Sequence, residues 1–250
     1  MKRIERRHLK QNELAQTLGA AREFIEPRRK QITATVVLVV VLAVVVLGVT
    51  VFRRQSQSRG QELLAQAMVA LNARVVPATS TGQNGDLPAA AQFGATGTFA
   101  TEEAKLNAAL PKLKAAADAY PDSPAGITAR YHYASSLASL GRNVDAIKEY
   151  QDVEKRAGKD SLYGRMARFG QADAQSHAGQ VDAAIAAWKE LAADTNSDLP
   201  QDAILMQLAR AYVQKGNTAE AKKAFTEVVD KHPDSPYLTE ARTELDNLKG

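Results

Sequence analysis

The chain has 250 residues, enough for one or two domains with a sizeable core, and it contains no cysteine, which excludes disulfides and thiolate metal sites. Its formal net charge of +4 is unevenly distributed, because residues 1–30 hold nine Lys and Arg against four Glu while residues 31–52 hold no charged side chain. The basic character therefore belongs to the N-terminal tail, and the larger C-terminal part is close to neutral.

The tail, residues 1–30, contains a short amphipathic pattern that ends at Glu26-Pro27. Residues 13–20 of this pattern are superficially similar to the start of a helix-turn-helix motif. A DNA-binding fold of that kind, however, needs a third helix and a core of its own. The pattern instead favours a helix that lies on the anionic inner leaflet or docks on a membrane partner, and we expect no nucleic-acid binding. The apolar residues at helical spacing are Leu14, Leu18, Ala21 and Ile25.

Residues 31–52 predict a transmembrane helix. Ile32 to Phe52 contain no ionisable group, and 15 of these 21 residues are Val, Leu, Ile or Phe. A helix of this length spans about 31 Å, which matches the hydrocarbon core of a bilayer. A cleaved signal peptide is the alternative, but the preceding tail is long, the apolar stretch is longer than a signal core, and no small-residue cleavage site follows Phe52. We therefore expect an uncleaved anchor in contact with membrane lipid.

Basic residues on the two sides of the anchor predict its orientation. Three lie directly before it and three soon after it, so the local bias is slight, but six further Lys and Arg in the tail favour a cytoplasmic N-terminus. The predicted location is the bacterial inner membrane, crossed once, with the C-terminal part in the periplasm.

Residues 53–103 are predicted to hold a juxtamembrane helix and an insertion. The helix, residues 60–76, would be the first helix of a degraded repeat. Gly60 and the Gln/Ser run before it weaken the idea that the anchor continues into this helix. The stretch from Pro77 to Ala100 is rich in Pro, Gly, Thr and Ala with Asp86 as its only charge, and it is predicted to be a mobile insertion.

Residues 104–250 contain an internal repeat. Three turn glycines, Gly141, Gly179 and Gly216, recur 38 and 37 residues apart. Each has an Ala seven residues before it, an Ala five after it, an aromatic nine after it and an apolar residue twelve after it. A period near 37 with paired helices predicts an all-α helical solenoid. The repeated positions are Ala134, Ala172 and Ala209; Ala146, Ala184 and Ala221; Tyr150, Trp188 and Phe225; and Val153, Leu191 and Val228.

This pattern resembles the tetratricopeptide repeat over residues 104–236. The phrase Pro-Asp-Ser-Pro recurs at Pro121 and Pro233, three repeats apart, where a proline closes a repeat in that family. The sequence departs from the family in its longer period, in a Gly158 that replaces one closing proline, and in a Trp188 that lies on a second helix. A final apolar stripe, which predicts a capping helix, consists of Leu238, Ala241, Leu245 and Leu248.

The sequence predicts a binding protein and no enzyme. Its four histidines, His8, His132, His177 and His232, are scattered, and no nucleophile, phosphate-loop or dinucleotide motif accompanies them, so we expect no cofactor, metal or small-molecule substrate. The family resemblance implies that first helices line a concave surface for an extended peptide or a partner's helix. Carried over by position, that surface comprises Tyr131, Ser135, Phe169, Asp173, His177, Arg210 and Gln214.

Two features of this predicted surface limit the interpretation. Tyr131 and Phe169 are also suited to filling the core of the repeats. The seven residues hold no cluster of one charge sign, so a basic clamp for a carboxyl terminus is not supported.

The layout of basic tail, single span and external repeats resembles the ancillary subunit of the bacterial Sec translocon. That resemblance implies a scaffold that links the translocon to periplasmic chaperones or secreted clients. Two alternatives stay open. The last repeat also resembles those of the Tol-Pal cell-division coordinator, a secreted soluble protein. An accessory subunit of a membrane-bound envelope enzyme is the other alternative.

Overall fold

A computed structural model of the protein describes residues 29–76, 97–194 and 197–248. The predicted amphipathic helix of the tail and most of the predicted insertion lie outside these residues. The described residues form nine helices and a sheet of two short strands. Two compact units divide between Gln55 and Ser56. The elements in chain order are α1 (Arg29–Leu71), β1 (Arg74–Val75), β2 (Thr98–Phe99), α2 (Glu102–Ala119), α3 (Pro124–Ser139), α4 (Asn143–Ala157), α5 (Leu162–His177), α6 (Val181–Ala193), α7 (Gln201–Gln214), α8 (Thr218–Lys231) and α9 (Leu238–Asn247).

The first unit contains the apolar part of α1. Thr33–Val51, 19 residues, is long and apolar enough to cross a membrane, and none of it is buried within the protein. The described residues contain one such helix, and by length and composition alone a signal sequence would pass the same test.

Helix α1 is uninterrupted through Gly60, where the sequence suggested a break. Gly60 serves a close approach between helices. A Cβ atom there would lie 3.4 Å from the Cβ of Ala125 and from the side chains of Ser123 and Tyr120. α1 therefore packs on the start of α3 at this glycine, with room for no more than a methyl group, and the packing offsets the low helix propensity of glycine.

The predicted helix over residues 60–76 ends earlier than expected, because Arg74–Val75 form strand β1. This strand pairs in parallel with β2, with Arg74 opposite Thr98 and Val75 opposite Phe99. The N–H of Val76 also donates to the carbonyl of Phe99 at 2.8 Å. These β-branched and aromatic residues favour extended backbone, and the pairing joins the two ends of the predicted insertion.

Helices α3 to α8 form the three predicted units, each a helix, a glycine turn and a second helix. Gly141, Gly179 and Gly216 adopt φ angles of 74°, 78° and 77°, which only glycine adopts without strain. All twelve repeated Ala, aromatic and apolar residues are buried. The alanines lie where helices cross closely, and the aromatics fill the space behind them.

Further helices close the two ends of this solenoid. Ala67 and Ala70 of α1 pack with Ala109 and Leu113 of α2, as expected for a degraded unit before the first repeat. At the other end Ala241 of α9 is fully buried, and two further residues of the predicted stripe pack on the same core. The predicted all-α fold, a helical solenoid with a C-terminal capping helix, is confirmed.

The repeated Pro-Asp-Ser-Pro phrase starts a helix directly in its first copy only. There Pro124 opens α3, and Ser123 Oγ accepts a hydrogen bond from the N–H of Gly126 at 3.0 Å. A Cβ atom on Gly126 would lie 2.0 Å from the carbonyl oxygen of Tyr120, so this tight start requires glycine. The second copy has Leu238 in the place of Gly126, and α9 begins only at that residue.

Candidate protein-binding cleft

The first helix of each unit presents one polar face at three positions of the repeat. These positions lie nine, six and two residues before the turn glycine, a spacing of three and four that places them on one side of a helix. Five of the seven predicted binding residues lie at these positions. The three sets are His132, Ser135 and Ser139 on α3; Gly170, Asp173 and His177 on α5; and Gln207, Arg210 and Gln214 on α7.

A cleft of about 330 Å³ opens between α5 and α7, with α6 behind it. We call it the Trp188 cleft, after the aromatic residue of α6 at its floor. The structure brings together four predicted residues here, two on α5 and two on α7, and adds three that sequence reasoning missed. The predicted residues are Asp173, His177, Arg210 and Gln214, and the added ones are Ser176, Trp188 and Gln207.

Hydrogen bonds hold the walls of the Trp188 cleft at the ends of its two helices. Ser176 Oγ donates to Gln214 Oε1 at 2.8 Å, and Gln214 Nε2 donates to the Ser176 carbonyl at 3.3 Å. Arg210 donates through Nε to Glu240 Oε1 at 3.1 Å and forms an ion pair with the same carboxylate through Nη2. The Arg210 side chain is therefore tied to the capping helix α9.

Asp173 is the acidic group of the Trp188 cleft, and its side chain is 38% exposed. Its only ion-pair contact among the described residues is with His177, whose Nε2 lies 3.8 Å from Asp173 Oδ1. That distance is too long for a hydrogen bond. The Asp173 carboxylate thus remains available to a ligand.

The other predicted residues, Tyr131, Ser135 and Phe169, lie outside the Trp188 cleft. The Phe169 and Trp188 rings meet edge to face with centroids 4.6 Å apart, and the Tyr131 and Tyr150 rings lie 5.8 Å apart. Both contacts join the first and second helices of one unit. Tyr131 and Phe169 occupy the repeat position that fully buried Met206 fills in the third unit, so a large part of each ring belongs to the core.

The equivalent place between α3 and α5 is filled by Tyr150, and we call this contact the Tyr150 junction. A Cβ atom on Gly170 would lie 2.4 Å from Cζ of Tyr150 and 2.7 Å from its hydroxyl. Burial raises the pKa of the Tyr150 phenol well above its ordinary value, so the hydroxyl stays protonated, and it is hydrogen-bonded with Ser135. Gly170 therefore leaves space for the Tyr150 ring. At the same repeat position in the next unit, Gln207 lines an open cleft instead.

The chemistry of the Trp188 cleft is that of a binding site. It offers one carboxylate, one guanidinium, one imidazole, two amides, a hydroxyl and an aromatic floor. In the part of the chain that the structure describes, no group of three or more His, Asp or Glu is placed to hold a metal ion.

A second cleft of about 450 Å³ lies among α6, α7 and α8. Its lining includes apolar Leu205 and Leu208 and basic Lys189 and Lys231. It shares no lining residue with the Trp188 cleft.

Comparison with known families and structures identifies the repeats. Two family models match the chain, each described as a tetratricopeptide repeat, over residues 102–161 and residues 176–245. Proteins of this family are typically non-catalytic scaffolds for protein interactions. No curated protein matches the sequence.

Solved structures of one protein with TPR-like repeats share the fold. A putative kinesin light chain from Podospora anserina with nearly identical TPR-like repeats is 18% identical to the chain, covering 59% of it and 79% of its own length, with a TM-score of 0.52. A tetratricopeptide repeat protein from Parabacteroides merdae is 16% identical, covering 60% of this chain and 56% of its own, with a TM-score of 0.49.

Proposed function

Because this chain is a tetratricopeptide-repeat protein, we propose that it is a non-enzymatic scaffold, tethered to a membrane by α1, that binds other proteins through the Trp188 cleft. The observation that carries this proposal is the cleft itself. The same repeat positions supply core contacts at the Tyr150 junction, yet between α5 and α7 they leave exposed polar side chains around an open space. Such a site holds an extended peptide or one face of a helix.

The membrane tether is supported by composition and length. Thr33–Val51 carries no charged residue, and those of its Val and Leu side chains that the structure describes are exposed, which is unfavourable in water and favourable in lipid. The basic tail before it favours a cytoplasmic N-terminus and a periplasmic repeat domain in the bacterial inner membrane. The chain would then consist of a tail (residues 1–30), an anchor (residues 31–52), a connecting region (residues 53–103) and a binding domain (residues 104–250).

The proposed role is to link the secretion translocon to periplasmic chaperones or to secreted clients. It rests on the layout of tail, span and repeats, which is similar to the ancillary subunit of the Sec translocon. The alternative Tol-Pal-type role belongs to a secreted soluble protein, and the apolar helix argues against it. An accessory role beside a membrane-bound envelope enzyme is the remaining alternative.

Reporter fusions test the topology. Alkaline phosphatase, which is active only outside the cytoplasm, should be active when fused after Gly250 and inactive when fused after Ile25. The reverse pattern would contradict the orientation, and activity released from the membrane fraction would show that the apolar stretch is a cleaved signal.

Co-isolation tests the partner class. The full chain should be cross-linked in intact cells, solubilised from membranes and purified, alongside a variant whose residues 32–52 are replaced by a cleavable signal. Recovery of translocon subunits with the anchored chain, and their loss with the released one, is the expected result. Recovery of Tol-Pal components or of one envelope enzyme instead would replace the proposed role with that alternative.

A further inference from the structure

We infer that the Trp188 cleft receives a positively charged Lys or Arg side chain of the bound protein. This inference rests on the proposed function, since it names the chemistry that the same cleft recognises. Three features of the cleft favour a cation: the charge balance of its lining, the helix ends that form its walls, and the size and floor of the space.

The first feature is the charge balance of the lining. Asp173 contributes a negative charge, and its contact with His177 at 3.8 Å is too long for a hydrogen bond. Arg210 contributes a positive charge, but Glu240 pairs with it through two of its nitrogens. The negative charge of Asp173 is thus left unbalanced within the cleft at neutral pH.

The second feature is the direction of the helices. α5 ends at His177 and α7 ends at Gln214, and both residues line the cleft. The hydrogen bonds between Ser176 and Gln214 hold these two carboxyl-terminal ends side by side. The C-terminal end of a helix carries a partial negative charge from its aligned peptide dipoles, and it therefore favours a cation nearby.

The third feature is the size and floor of the space. At about 330 Å³ the cleft is near the lower limit of ligand sites, about 300 Å³, so it suits one long side chain better than a whole folded element. Its floor is the aromatic Trp188, and its upper walls are polar. Lys and Arg match this gradient, because their aliphatic stems pack on apolar surface while their charged heads stay among acceptors. A carboxylate side chain is shorter and would face Asp173.

A peptide series on the full chain in detergent micelles tests the inference. The probes are capped pentapeptides, Ac-Ala-Ala-X-Ala-Ala-NH₂, with X as Arg, Gln or Glu. Trp188 is the only tryptophan of the chain, so its fluorescence and its indole N–H resonance report on the cleft alone. We expect the Arg peptide to shift both signals and to bind about fivefold more tightly than the Gln peptide, with the Glu peptide weakest.

Variants at one carboxylate supply the control. Asp173→Asn should weaken binding of the Arg peptide about fivefold and leave the Gln peptide unchanged, while Asp173→Glu should keep the preference. Asp230→Asn, an exposed carboxylate of α8 outside the cleft, should change neither.

Equal binding of the three peptides would overturn the inference but leave the cleft as a peptide-binding site. A preference for the Glu peptide, or no response of Trp188 to any peptide, would overturn the inference as well. Failure of the scaffold function itself would be seen separately, as the absence of partners in the co-isolation experiment.

Discussion

Helix α5 faces α3 at the Tyr150 junction and α7 at the Trp188 cleft. The same positions of the repeat form a filled contact at the first and an open cleft at the second. At the first, the Tyr150 ring lies so close to Gly170 that a methyl group would not fit. At the second, Trp188 and Gln207 line an open space of about 330 Å³ between α5 and α7. The residue nine positions before the turn glycine differs between the two: it is Gly170 at the Tyr150 junction and Gln207 at the Trp188 cleft.

The comparison shows how a repeat protein separates stability from binding. Units with equivalent helices need not have equivalent grooves, since a glycine at one position lets an aromatic ring close the space and a longer polar side chain leaves it open. Helix α5 contacts the unit before it and the unit after it, so the Tyr150 junction also positions Asp173 and His177 for the cleft. Four predictions follow from this comparison, ordered by the size of the expected effect.

The largest effect is expected from removing the floor of the cleft. Trp188 is 1% exposed and meets Phe169 edge to face, so Trp188→Ala should lower the free energy of unfolding by about 3–5 kcal/mol. Urea unfolding of the full chain in micelles, followed by circular dichroism, measures this. Leu162→Ala, at a residue that is 50% exposed, is the control and should cost under about 1 kcal/mol. Similar costs for both would show that Trp188 is not part of the core.

Overpacking the second helix of the same unit should have the next largest effect. Ala184 is fully buried where helices cross, so Ala184→Leu should cost about 1–3 kcal/mol. Ala186 is exposed on the same helix. Ala186→Leu should cost little, because alanine and leucine have nearly equal helix propensities. Ala187 is an unsuitable control, since it is partly buried against the same core. Equal melting temperatures for the two variants would contradict the repeat register.

Gly170→Ala should break the Tyr150 junction with a smaller net loss. The new methyl group would collide with the Tyr150 ring, a cost of about 1–3 kcal/mol, while the gain in helix propensity offsets up to about 1 kcal/mol. At the equivalent position of the cleft, Gln207→Ala should change stability by no more than about 0.5 kcal/mol.

A double variant isolates the contact. In a Tyr150→Leu background, the smaller side chain leaves room for the methyl group, so Gly170→Ala should no longer destabilise the protein. An undiminished loss in that background would mean that Gly170 is required for a reason other than the Tyr150 ring.

The smallest effect is expected from residues 79–96, which belong neither to the Tyr150 junction nor to the Trp188 cleft. Replacing residues 79–96 by a short Gly-Ser linker should leave helix content and melting temperature nearly unchanged, because the replacement keeps β1, β2 and every helix that the structure describes. The replacement must stop before Thr98, which pairs with Arg74. A loss of several kcal/mol in the same urea measurement would show that this segment packs as part of the fold.

Much of the fold was predictable from the sequence because its determinants are local. Gly141 and its equivalents end first helices at positive φ, and Ala184 and its equivalents recur at fixed offsets from them. The end of α1 was predicted less well. Nothing local shows that Gly60 packs on α3, or that Val75 pairs with a strand more than 20 residues away.

The cleft was predictable only in part because it depends on three helices at once. The repeat offsets place Asp173 and Arg210 on one face, but they do not show that Glu240 of α9 reaches Arg210. Gln207 was missed although a signal exists: it lies at the same offset from its glycine as Gly170. A glycine at this repeat position accompanies the filled Tyr150 junction, and a glutamine accompanies the open Trp188 cleft.

Site-specific photo-cross-linking in cells tests the central claim most directly. A photoreactive phenylalanine analogue should be placed at Gln207 in the Trp188 cleft, at Ser139, the exposed equivalent of His177 on α3, and at Lys189 in the second cleft. The account predicts strong adducts with other proteins from Gln207, weaker ones from Ser139 and none from Lys189. Adducts from Lys189 with none from Gln207 would contradict it, since partners would then bind at the second cleft and the difference between the two junctions would have no role in binding.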